Sequence, residues 1–71
     1  MISYAKAKSL LKPGDEVYLH YRGEVVTTKV QKVLKDALRT EADLLFFDEH
    51  GVFWFLTEKV AKEKLNENHV R

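Results

Sequence analysis

The chain has no cysteine, one proline, three glycines and one methionine among its 71 residues. Without cysteine, neither a disulfide nor a thiolate metal site can staple so small a domain, and the expected setting is reducing, the cytoplasm. Three scattered glycines make no phosphate-cradling loop. No apolar run approaches membrane length, and MISYAKAKSLLKPGDE lacks the continuous apolar stretch of a signal sequence. Few prolines and glycines, together with 45% hydrophobic and 32% charged residues, describe a globular chain and argue against disorder.

Neither sign of charge dominates either, since the net value is +1. Residues 1–35 carry seven Lys/Arg against three acids, and residues 36–71 carry five against eight. A basic front half and an acidic back half result, a weaker imbalance than dedicated nucleic-acid binders show. The length fits one domain, residues 1–71, which buries only about 60% of the surface its unfolded chain exposes.

Ser3 is placed to cap a helix over residues 3–12, with Tyr4, Ala7, Leu10 and Leu11 at helical spacing and Pro13-Gly14 as its stop. EVYLHYRGEVVTTKV follows, two β-forming runs about Arg22-Gly23, and predicts a first hairpin over 16–34. A two-residue turn there sets Tyr21 opposite Glu24, Leu19 opposite Val26 and Val17 opposite Thr28. Val17, Leu19, Tyr21, Val26 and Val30 then form one core stripe, and Glu16 meets Lys29 as an opposite-charge pair on the other face. LKDALRTEAD reads as a polar connection, with Leu38 tucked inward.

The densest apolar stretch is LLFFDEHGVFWFL, nine large apolar side chains in thirteen positions. It predicts a second hairpin over 43–56 about a type I turn at Asp48-Glu49-His50-Gly51, with Phe46 facing Trp54 and Phe47 facing Phe53. One face would carry Leu44, Phe46, Val52, Trp54 and Leu56, the other Leu45, Phe47, Phe53 and Phe55. A small barrel buries only one face inside. The terminal helices, through Leu10, Leu11, Val60, Ala61 and Leu65, are the first candidates to cover the second; a copy of the chain or another protein is the alternative. Thr57 caps a last helix over 57–67, with Glu58 and Lys62 paired one turn apart, and NENHVR is expected to fray.

The order helix, hairpin, connection, hairpin, helix makes an α+β chain, mainly β, with 4–5 short antiparallel strands in a small barrel-like sheet. KPGDEVYL, the glycine of the first hairpin, the acidic-glycine turn and FFDEHGVFWFL together resemble small SH3-like barrels. With LTEKVAKEKL as a closing helix, the chain is similar to short SH3-like proteins of Gram-positive phages and mobile elements. The resemblance covers roughly residues 12–65 and implies a fold and a setting, that of an accessory protein, without an activity. Ribosome-associated KOW-type barrels differ in carrying a basic cluster after the first strand, which this chain lacks.

No enzyme signature survives inspection. Asp48, Glu49 and His50 are consecutive turn residues, which splay apart where a metal needs convergent ligands and catalysis needs a pocket. His20, His50 and His69 show no zinc-ligand spacing, and Ser9 has no spaced histidine and acid. The expectation is a non-enzymatic interaction module, without metal or cofactor. Its partner is another protein or a second copy, engaged through the surface aromatics Tyr18 and Trp54 with His20, and no membrane is involved. The alternative is a weak nucleic-acid binder using Lys6, Lys8, Lys12 and Arg22, which would pair with phosphates.

Overall fold

The computed structural model describes the backbone of residues 1–69 and the side chains of residues 1–67. Helix α1 spans Tyr4–Leu10, with the Ser3 hydroxyl accepting from the Lys6 amide at 3.2 Å. The turn at Pro13-Gly14 is fastened to the sheet: the Gly14 amide donates to Val30 and the Val30 amide donates to Asp15. Strands β1 (Glu16–Tyr21) and β2 (Glu24–Val33) then form the expected hairpin, with Tyr21 opposite Glu24 and Glu16 opposite Lys29. Arg22 at φ 51° and Gly23 at φ 77° both lie in the left-handed region, the signature of a type I′ turn whose twist matches the strands. Glu16 and Lys29 stand in register without closing an ion pair. The ion pairs among the described residues, Glu58–Lys62 and Lys64–Glu67, both lie along the last helix.

Two expectations fail beyond this point. The segment expected as a polar connection contains strand β3, Ala37–Thr40, which pairs with β2 across an irregularity between Val30 and Lys32. Leu38 is fully buried, as expected, but from a strand. The stretch 43–56 is no hairpin either. Its first half is β4, Leu44–Phe46, paired with β3, and its second half is β5, Trp54–Phe55, paired with β1. A single 3₁₀ turn, Phe47–Glu49, and a loop through Gly51 carry the chain from one to the other. The result is a curled five-stranded antiparallel sheet, a half-barrel, in the order β4-β3-β2-β1-β5. Helix α2, Glu58–His69, completes the fold. Its backbone runs through Asn66–His69, where fraying was expected; the His69 side chain and residues 70–71 lie outside the described part.

Splitting the apolar stretch between the two edges of the sheet solves its burial problem. Leu45, Phe47 and Trp54 enter one core with Ile2, Ala7, Leu11, Val17, Val30 and Leu38. Phe55 points to the opposite side, where α2 packs on β1, β2 and β5 and buries Ala61. The helices cover less than expected: Leu10 and Val60 are exposed, leaving Ala7 and Leu11 from the α1 segment and Ala61 from α2 as the buried contacts.

The edge strands β4 and β5 share no backbone ladder. Between them the Trp54 indole, 0% exposed, donates Nε1–H to the Phe46 carbonyl at 2.7 Å. On the same edge the Asp43 carboxylate accepts from the Leu44 amide at 2.7 Å. Both contacts occupy edge groups of β4 that would otherwise invite another strand.

Candidate interaction groove

The predicted core stripe of the first hairpin is buried at one end only. Val17 and Val30 lie in the core with Ala7 and Leu11, and Thr28 is buried, whereas Leu19 and Val26 are half-buried and Tyr21 is 55% exposed. Beyond the end of the cover, Leu19, Tyr21 and Val26 floor a groove of about 410 Å³ whose far wall is Ala42 and Asp43. That volume is within the range of small binding sites.

The wall is held firmly. Thr28 and Thr40 are the buried polar residues of the core, and both direct their hydroxyls at the turn 41–43. Thr40 Oγ1 donates to the Asp43 carbonyl at 2.7 Å and accepts from the Asp43 amide at 3.0 Å, while Thr28 Oγ1 accepts from the Ala42 amide at 3.2 Å. The Glu41 amide adds a bond to the Lys29 carbonyl. A groove whose walls are preset loses little ordering entropy on binding.

The residues singled out from the sequence are dispersed. Trp54 is fully buried, so its role as a surface anchor is corrected: the indole belongs to the core and joins the edge strands. His20 is half-buried and packs on Phe55 with ring centres 4.7 Å apart. Its Nε2 lies 2.7 Å from the Ala61 carbonyl; a carbonyl only accepts, so Nε2 carries the proton and ties β1 to α2. Tyr18 shares that face and is also half-buried. Lys6, Lys8 and Lys12 are exposed on and just after α1, and Lys8 lies over the Tyr4 ring. Arg22 is exposed at the tip of the first hairpin, its guanidinium 5.2 Å above the Tyr21 ring. Since the Pro13-Gly14 turn after α1 is fastened at Val30, the hairpin separates that turn, next to Lys12, from Arg22 by six residues of strand, roughly 20 Å at about 3.3 Å per residue. Lys12 and Arg22 therefore do not converge.

Asp48, Glu49 and His50 lie on the 3₁₀ turn and its end. Among the described residues no three such side chains are grouped to hold a metal. The His50 ring rests 4.8 Å from Trp54, with Nδ1 buried and unpartnered. Burial pushes its pKa below the ordinary 6.5, the Met1 ammonium pushes the same way, and the nearby Met1 backbone opposes them more weakly. The fold therefore favours the neutral ring, and the unfolded chain binds the extra proton. This stabilising contribution is complete above about pH 6.5 and is lost as pH falls from there through the lower folded value. Thermal unfolding followed from about pH 7.5 to pH 5 should show a falling midpoint for the native chain, and His50→Gln should flatten that fall. An unchanged pH profile in the variant would exclude His50 as its source.

A second exposed apolar patch lies on β4, where Leu44 is 43% and Phe46 44% exposed, and Val52 and Phe53 are exposed in the loop before β5. The signal for the groove was present in the sequence, in the small number of apolar residues the helices bring to cover a long stripe. No family model, curated protein or solved structure matches the chain. Among the described residues no helix is long and apolar enough to cross a membrane.

Proposed function

We propose that this chain is a small, non-enzymatic protein-binding module, and that it receives its partner in the groove beside Leu19, Tyr21 and Val26. The observation that carries the reading is the half-covered stripe: an apolar strand face whose far end has a floor, a fixed wall and, among the described residues, no lid. Exposed apolar surface with an aromatic at its rim is the usual character of an interaction site. The meander of β1 to β4, with β5 added beside β1 after a 3₁₀ turn, supports an SH3-like build. The narrower setting, an accessory protein of a phage or mobile element, rests on sequence resemblance alone.

A second reading, weak nucleic-acid binding, draws on α1, where Lys6 and Lys8 are exposed beside Tyr4 and no acid occurs. The two readings separate in one experiment. A photo-crosslinking amino acid in place of Tyr21, in cells that express the chain, should yield a discrete polypeptide adduct whose formation changes little with salt. Adducts to nucleic acid, fading steeply as salt rises, would replace this reading with the second. Absence of any adduct at Tyr21 would overturn it.

A further inference from the structure

We infer that the segment occupying the groove is basic as well as apolar: aliphatic side chains seated on Leu19 and Val26, flanked by lysine or arginine. The inference rests on the protein-binding reading above and adds the chemistry of the partner. It comes from the charges around the apolar floor. Asp43 forms the wall, and only one of its carboxylate oxygens, Oδ1, is engaged, by the Leu44 amide at 2.7 Å. Glu24 stands directly opposite Tyr21 in the β1–β2 register, on the same face as Val26, and is exposed. Glu41 adjoins Ala42 in the wall turn and is also exposed. None of the three is in an ion pair among those of the described residues.

Beside these carboxylates Arg22, next to Tyr21 in sequence, already has its guanidinium over the Tyr21 ring. An acidic or phosphorylated segment would meet unpaired carboxylates on both sides of the floor. A basic one would meet a partner on each side, and its aliphatic residue would remove Leu19 and Val26 from water. Such rim charges act mainly on encounter and on the choice between partners, and the apolar floor supplies the shared affinity.

The test uses three acetylated, amidated hexapeptides that alternate leucine with lysine, with serine or with glutamate. Each is titrated into the ¹⁵N-labelled chain, following the amide signals of Leu19, Tyr21, Val26, Ala42 and Asp43. The lysine peptide should shift these signals and bind roughly three- to tenfold more tightly than the serine peptide, as expected for two exposed charge pairs, with the glutamate peptide weakest. Asp43→Asn combined with Glu24→Gln should bring the ratio of lysine-peptide to serine-peptide affinity, measured within the variant, most of the way to one. Equal affinities for all three peptides at the groove would overturn the basic partner and leave the groove standing. Binding of none of them there would overturn both. Because Glu24 is exposed and the Asp43→Asn change keeps a side-chain oxygen for the Leu44 N–H, the double variant should retain the native spectrum elsewhere.

Discussion

Replacing Trp54 with alanine is expected to unfold the protein, and replacing it with phenylalanine to cost about 2–3 kcal/mol. Large-to-small changes at a fully buried aromatic cost about 3–5 kcal/mol, and a single core of this size supplies only about 3–5 kcal/mol in total. Phenylalanine refills most of the space but has no N–H. The Phe46 carbonyl then loses its donor at the junction of β4 and β5, a loss of about 1–3 kcal/mol where the group stays buried. Because these substitutions remove the only tryptophan, urea unfolding is best followed by circular dichroism. A Trp54→Phe variant within about 0.5 kcal/mol of the native chain would mean that the indole fills space without joining the edges.

The second large effect is expected at Leu38. This side chain is fully buried in β3, and Leu38→Ala should destabilise by about 2–5 kcal/mol. Leu44, equally apolar and next in sequence to Leu45, the cross-strand partner of Leu38, gives the contrast. At 43% exposed on an edge strand, Leu44→Ala should change stability by about 0.5 kcal/mol or less. The pair separates the observed register from the predicted connection. A residue tucked under a flexible loop has room to relax, whereas one locked between β2 and β4 leaves a cavity. Equal costs at Leu38 and Leu44 would contradict the assignment of β3 to the sheet.

These two sites also mark how far the sequence can be read. The first hairpin is legible because its information is local. Arg22-Gly23 dictates a two-residue turn, the turn dictates the register, and every cross-strand pair follows. β3 is hidden because Ala37-Leu38-Arg39-Thr40 is four residues long, lies among charges and has no clean alternation. Its Thr40 is buried for a reason no periodicity reveals, the hydrogen bonds that hold the turn 41–43.

The pairing of 43–56 escapes the sequence for a related reason. Asp48-Glu49-His50-Gly51 does carry turn chemistry, and Gly51 does adopt a left-handed φ of 88°. The same chemistry that closes a hairpin also lets a chain cross from one edge of a sheet to the other. Which occurs depends on partners remote in sequence, β3 and β1, and these leave no local mark. The groove is half legible. The stripe from Val17 to Tyr21 is one face, as the alternation indicates, but its length exceeds what Ala7 and Leu11 reach.

The claim that function resides at this uncovered end, and not at the other apolar patch, has a direct test. A photo-crosslinking residue is placed in turn at Tyr21 and at Phe46, both exposed, in cells that express the chain. A polypeptide adduct at Tyr21 and none at Phe46 is the predicted result. An adduct at Phe46 with Tyr21 silent would move the binding surface to the edge strand and contradict the groove.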